Sequence, residues 1–343
     1  MQSILLCLAN IVTDIYVQKL LSVTIQPNKD RAMKMDKHAL KRISHVATRK
    51  GMTVNELVKE MAASGVMGAG NLARAVDIAE AMIKDKECKV FLGQAGAMIP
   101  GGMRNILIEM VELGWADVIV TTGATLTHDL VEALGFSHYQ GKADADDAQL
   151  NREGWDRMYD SYMPNDVYPK MEDFLQPILN SMVGKEWTIK DFLWEIGKNV
   201  NARSLLSACA AKKVPLFCPA ISDSGIGLQV WGFIQKNKLM VSAFDDLKEI
   251  LDIAWTAKKS GVIYIGGGVP KNFIQQAMQF SKQAAYAVQI TTDRPEPGGS
   301  SGAPLREGIS WGKLEYDASY ADLFCDATIA LPIIHAALKE RLL

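Results

Sequence analysis

Apolar runs of four to seven residues alternate with segments of helical spacing along most of the chain. Lys89–Gln94 reads as a short buried strand, followed by the small-residue loop AGAMIPGG. Residues 103–113 (MRNILIEMVEL) repeat their apolar positions with helical period. Ala116–Thr122 (ADVIVTT) predicts a second strand, followed by GATLTHD and another helix. Val214–Cys218 is a third strand ending at Pro219, and Val262–Ile265 a fourth, running into Gly266, Gly267 and Gly268. Ala285–Thr291 is a fifth, ending in a Thr-Thr-Asp turn. The first well-marked helix starts after Thr53, a plausible N-cap with Glu56 at capping-box spacing.

Apolar strands alternating with amphipathic helices predict an α/β fold: a mostly parallel, Rossmann-like sheet with helices on both faces. In such sheets ligands bind beyond the carboxyl ends of the strands. Here those ends carry Gly, Ala, Thr and Asp, which let a ligand approach the backbone and the helix N-termini that favour phosphate. A nucleotide or dinucleotide site is therefore expected. No GxGxxG fingerprint is present, so an ordinary Rossmann dehydrogenase is not supported, and the GGG of 266–268 taken alone is equally a plain turn.

Composition narrows the class. The chain has 343 residues, 48% of them hydrophobic, enough for a large core. A formal net charge of −2 gives no basic excess to attract nucleic acid. The five cysteines are dispersed without metal-binding spacing, which predicts reduced thiols in a cytoplasmic protein. Residues 4–12 (ILLCLANIV) form an apolar run too short for a membrane span, and no basic region precedes it. A soluble protein is expected. Residues 26–51 are strongly basic and read as a solvated lead-in, with contact to an acidic partner as the alternative.

Residues 310–313 read SWGK. A lysine can form a Schiff base when its amine is neutral, and burial beside Trp311 lowers an ammonium's pKa. On this context alone, a surface lysine whose stem packs on the indole is the stronger reading.

The wider pattern reverses that. SWGK followed by Asp326-Ala327, and preceded by VTTGA, PAISD and IGGGVPK, resembles the deoxyhypusine synthase family. SGVMGAGNLARAVDIAEAMI (64–83), FLGQAGAMIPGGMRNIL (91–107), MPNDVYPKMEDFLQPIL (163–179) and ALPIIHA (330–336) support it in order and spacing over roughly residues 60–340. The resemblance implies a homotetramer with active sites at subunit interfaces. It also implies an NAD-dependent reaction: spermidine is oxidised, its aminobutyl group passes to an enzyme lysine as an imine, and then to a lysine of the translation factor that carries hypusine. Residues 1–52 then read as an N-terminal extension and 53–343 as a single NAD-binding catalytic domain.

Position by position, the resemblance puts the imine-forming lysine on Lys313, the channel tryptophan on Trp311 and a substrate-binding glutamate on Glu307. NAD contacts fall on Gly96, Ala97, Met98, Ile99 and Pro100, on Thr122, Gly123 and Ala124, and on Asp223, Gly267, Thr292, Asp293, Asp326 and Ala327. The departures fall at the polyamine site. Two family glutamates correspond to Thr127 and His128, family aspartates to Leu228 and Ser300, and a family histidine to Asn272. A polycation in a partly desolvated channel needs carboxylates, each charged hydrogen bond contributing roughly 1.5–3 kcal/mol. The NAD half thus looks retained and the polyamine half rewritten. His128 is a new acid or base, a group that binds a carboxylated or less cationic substrate, or a simple hydrogen-bonding group at a helix start.

Three functions compete. The one the lost carboxylates favour, narrowly, is a transferase of this family with an altered amine donor or a small-molecule acceptor, homospermidine-type synthesis being an example. Another is deoxyhypusine synthase acting on the translation factor. The last is a non-catalytic NAD-binding oligomer. No metal, nucleic acid or membrane partner is expected.

Overall fold

The residues that alternate along the predicted strands divide between two cores. In a computed structural model, which describes residues 40–343, Val90, Leu92, Ile119, Leu216, Ile263, Ile265 and Val288 enter one apolar cluster. Their neighbours Phe91, Val118, Val120, Phe217, Val262, Tyr264 and Ala287 enter another. Strands buried on both faces read as continuous apolar runs because both sets of side chains meet helices. The run 4–12 and residues 26–39 of the basic segment lie outside the described residues. Ile43–Leu343 forms one compact unit.

Six parallel strands make the main sheet: β1 (Cys88–Gln94), β2 (Val118–Val120), β3 (Leu216–Phe217), β4 (Lys259–Ile265), β5 (Ala284–Thr291) and β6 (Leu314–Phe324). Their spatial order is β6-β5-β4-β1-β2-β3. Read from the other edge this is the doubly wound order 3-2-1-4-5-6, whose reversal point lies between β1 and β4. Those two strands pair over seven residues, from Cys88 with Lys259 to Gln94 with Ile265. Two small sheets flank the main one: an antiparallel trio (Tyr139–Gln140, Trp155–Met158, Ser161–Pro164) and a parallel pair (Glu186–Thr188, Met240–Ser242).

Among the described residues the helices of eight residues or more are α1 (Val54–Ser64), α2 (Met67–Lys84), α3 (Arg104–Glu112), α4 (Gly123–Ala133), α5 (Val167–Met182), α6 (Ile189–Asn199), α7 (Leu205–Lys212), α8 (Gly225–Ile234), α9 (Phe244–Thr256), α10 (Gly268–Gln279) and α11 (Ala327–Leu342). Helices α9 and α10 cover one face through Ile250, Ala254, Phe273, Ile274, Ala277 and Met278. Helices α2 to α7 and α11 pack on the other core. Thr53 caps α1 in a full capping box with Glu56. Among the described residues no helix is long and apolar enough to cross a membrane. Cys88, Cys209 and Cys218 are buried thiols, and Cys325 is half-buried.

Two predicted strands are shorter than the sequence suggests: 116–122 contracts to Val118–Val120 and 214–218 to Leu216–Phe217. The flanking residues lie in loops. Strand β6 has no counterpart among the predicted strands. It lies at the sheet edge and reads LEYDASYADLF, polar and apolar mixed, because one side of it lacks a neighbouring strand.

Candidate active site

Every connection leaving the carboxyl ends of β1, β2, β4, β5 and β6 starts with a small or polar residue. Gly96 follows β1 at φ +82°, Gly266 follows β4 at +74°, and Gly268 opens α10 at +58°. These left-handed values favour glycine. A Cβ on Gly268 would meet nothing closer than Pro270 Cδ at 4.0 Å, and one on Gly96 nothing closer than Met98 Cε at 3.8 Å. The backbone at the reversal point therefore borders open space.

Two cavities occupy that edge. One, about 370 Å³, is lined by Gly96, Met98, Gly267, Thr292, Asp293, Ser301, Asp326 and Ala327 among others. The other, about 480 Å³, is lined by Gly96, Ala97, Pro100, Thr122, Gly123, Ala124, His128 and Asp223 among others. Ala95, Gly96 and Gly268 border both, so the two cavities flank the end of β1. A larger cavity, about 690 Å³, lies elsewhere, against the starts of β1, β2 and β3 with Lys89, Asp117, Lys213 and Pro215. It holds none of the predicted site residues.

The crevice walls are held from behind. Buried Gln94 accepts from Thr121 Oγ1 at 2.6 Å and donates Nε2 to the Gly96 carbonyl at 3.1 Å, tying two loops together. Thr122 caps α4 by accepting from Thr125 N. Asp326 caps α11, its Oδ1 accepting from Thr328 N at 2.7 Å and from Thr328 Oγ1 at 2.8 Å. Gly267 packs on Ser301, whose Oγ accepts from Gly268 N at 2.7 Å. The caps use the N–H groups of Thr125, Gly268 and Thr328, and the other first-turn amides at these helix starts, such as Gly123, Ala124, Val269 and Ala327, make an anion-favouring edge. With three carboxylates, Asp223, Asp293 and Asp326, on the cavity walls, the residues fit a dinucleotide: amides for phosphate, carboxylates for ribose hydroxyls.

Of the predicted cofactor residues, all but Ile99 line one of the two cavities. Ile99 is buried in the core beneath the loop. The substrate residues divide. His128 lines the larger cavity of the crevice. Thr127 is buried, donating Oγ1 to the Gly123 carbonyl and accepting from Ile226 N, so its hydroxyl joins α4 to α8. Leu228 is 62% exposed on α8, beside Trp231 and Ile234, which are exposed as well. Asn272 and Ser300 line neither cavity, and the Ser300 carbonyl accepts from Lys271 Nζ at 2.6 Å.

Glu307, Trp311 and Lys313 also line neither cavity. They lie on the short helix Glu307–Ser310 and the turn that feeds β6, whose first residue Leu314 pairs with Ala284 at the amino edge of the sheet. Lys313 Nζ lies 5.0 Å from the centroid of the Trp311 ring. Burial lowers the Lys313 pKa, and Glu307 opposes that shift. Sequence reasoning missed a second amine nearby. Lys271 is buried, donates to the Ser300 and Ala303 carbonyls, and is pushed down to about 8, chiefly by burial. Its only signal was a lysine on the apolar side of an amphipathic helix.

Sequence reasoning also missed the support behind His128. Its Nδ1 lies 2.9 Å from His138 Nε2, and His138 Nδ1 lies 2.8 Å from Glu132 Oε1. Arg104 donates Nε to buried Asp129 at 2.8 Å, and its Nη1 lies 3.9 Å from Glu132.

This is the architecture of a doubly wound α/β protein whose ligand crevice lies where the strand order reverses. Residues 56–338 match the deoxyhypusine synthase family. The protein named probable deoxyhypusine synthase 1 of Methanosarcina mazei is 47% identical over 293 residues, spanning 85% of this chain and 92% of the relative. The corresponding protein of Archaeoglobus fulgidus is 42% identical over 301 residues, spanning 88% and 98%. The fold is shared with the crystal structure of an Entamoeba histolytica protein assigned as a deoxyhypusine synthase, with a TM-score of 0.60 at 20% identity over 86% of this chain and 96% of that one. The chain belongs to the deoxyhypusine synthase family, a family of NAD-dependent transferases.

Proposed function

We propose that this chain is a deoxyhypusine synthase, acting in the cytoplasm with NAD and spermidine on a lysine of the hypusine-carrying translation factor. The observation that carries the reading is Lys313, an amine with a lowered pKa against Trp311 and Glu307 in a chain that keeps the crevice of an NAD-dependent family. The relatives that bear this name match nearly end to end, which favours this activity over a transferase with a changed acceptor.

NAD bound along Gly96–Pro100, Thr122–Ala124, Asp223, Gly267, Thr292–Asp293 and Asp326–Ala327 supplies the hydride acceptor for amine oxidation. The residues of this chain then do the transfer. Neutral Lys313 attacks the imine carbon of the oxidised donor, the C–N bond to the diamine fragment breaks, and the aminobutyl group stays on Lys313 as a new imine. A second exchange of the same kind hands it to the acceptor lysine as an imine and frees Lys313, and the hydride taken up in the first oxidation would return to reduce that imine to the secondary amine. Glu307 and the Trp311 face hold a cationic chain beside the amine.

Lys313 and the crevice residues lie on different walls of one chain, and the apolar row Leu228, Trp231 and Ile234 is left exposed. Both features support assembly into a homotetramer in which a second copy brings Lys313 to the crevice. A second reading, a donor other than spermidine, is favoured by His128, where the family pattern has a carboxylate. Incubation with spermidine labelled in the aminobutyl group, NAD and the translation factor tests the proposal. Label on the acceptor protein is expected. Label only on Lys313 or on a small amine contradicts the acceptor assignment, and transfer from another amine alone supports the second reading.

A further inference from the structure

We infer that Glu132 and His138 are positioning residues that fix His128 in one tautomer, with its proton on Nδ1 and the Nε2 lone pair left to accept a hydrogen bond from an N–H of the amine donor. The inference rests on the transferase reading for the donor, while the tautomer follows from the two contacts taken with an ionised Glu132 and a neutral His138.

Residues 128 and 132 are four apart on α4 and share a face. The chain turns back after Ala133 and brings His138 over both, with the two imidazole centroids 4.9 Å apart and the rings at 61°. The direction of the hydrogen bonds follows from what each group can do. An ionised carboxylate only accepts, so His138 Nδ1 donates to Glu132 across 2.8 Å. A neutral imidazole carries one N–H, so His138 Nε2 accepts, and the donor across the 2.9 Å contact is His128 Nδ1. His128 Nε2 is then unprotonated, on a residue that lines the 480 Å³ cavity with Thr122 and Asp223.

The surroundings hold both ends of the relay in these states. The His138 hydrogen bond, with the Arg104 guanidinium nearby, keeps the Glu132 carboxyl below the usual range. Burial, and then the neighbouring His138, push His128 down to about 4, with Glu132 opposing, so it is neutral at physiological pH. Helix α8, which packs against α4, carries no titratable residue. Neither Glu132 nor His138 lines either crevice cavity, so both act through His128. A site built this way takes an N–H at that point and rejects a fully substituted nitrogen there.

Glu132→Gln tests it with little change of shape. The Gln amide can donate to His138 Nδ1, which reverses the relay and turns His128 Nε2 into a donor. Solid-state 15N NMR of histidine-labelled protein reads the tautomers directly, with the His128 signal assigned by loss in His128→Asn. The expected result is an Nδ1-protonated His128 in the unsubstituted protein. In the Glu132→Gln variant it is an Nε2-protonated His128, a fall of roughly 10²-fold in kcat/KM for the amine donor and NAD affinity within twofold. An Nε2-protonated or doubly protonated His128 in the unsubstituted protein overturns the inference without using any variant. A Glu132→Gln protein in which His128 is Nε2-protonated but donor turnover is undiminished overturns it as well. Failure of every amine donor, with the Nδ1 tautomer present, removes the transferase reading and leaves the tautomer assignment standing.

Discussion

Asp326 has two duties that a substitution series separates. Its Oδ1 caps α11 through Thr328 N and Thr328 Oγ1, and Oδ2 is the oxygen left for the 370 Å³ cavity. Loss of an N-cap costs about 0.5–2 kcal/mol of stability, whereas serine caps nearly as well as aspartate. A hydrogen bond from a ribose hydroxyl to a carboxylate is worth about 1.5–3 kcal/mol, or roughly 10- to 150-fold in Kd. Asp326 is exposed, so the lower end of that range, about tenfold, is expected. Asp326→Ala should lose both stability and NAD affinity. Asp326→Ser should keep stability within a few tenths of a kcal/mol and lose only the affinity. Urea unfolding without cofactor gives the first quantity, and calorimetric titration with NAD the second. An Asp326→Ser protein that binds NAD within twofold of the unsubstituted chain would refute the assignment of this carboxylate to the cofactor.

Two further outcomes follow from the same structure. Asp129 is fully buried and its carboxylate is matched by Arg104 Nε and by Leu206 N, so Arg104→Met strands a buried charge; urea unfolding should show a loss of about 3–5 kcal/mol, and a loss below about 1 kcal/mol would show the pair to be dispensable. Lys313 reacts as the free amine, so activity should rise with pH until its lowered pKa is passed; Glu307 raises that pKa, so Glu307→Gln should move the rising limb of kcat to lower pH, and a limb that stays in place or moves up would exclude Lys313 as the titrating group.

The parts of the fold that were legible in the sequence are those buried on both sides. Strands β1, β4 and β5 read as apolar runs because helices cover both faces, and the small residues at their ends mark the crevice. Strand β6 was not legible, since an edge strand needs apolar residues only where it is covered. The cofactor residues could be placed because they follow strand ends in sequence. The relay behind His128 could not be placed. His128 and Glu132 have helical spacing, but His138 reaches them only through a turn whose path no periodicity records. Thr127 shows the converse: a polar residue in a suggestive position whose hydroxyl is committed to joining two helices. The sequence likewise gave no sign that Lys313 and the NAD-type loops line different walls of a single chain, because that separation depends on which edge of the sheet each turn occupies.

The central claim is that Lys313 carries the transferred group. Incubating the protein with NAD and spermidine, reducing with borohydride and mapping peptides by mass spectrometry tests it most directly. The account predicts a reduced aminobutyl adduct on Lys313 that depends on both NAD and amine and disappears in Lys313→Arg. The absence of any amine-dependent adduct on Lys313, in a protein shown to bind NAD, would contradict it.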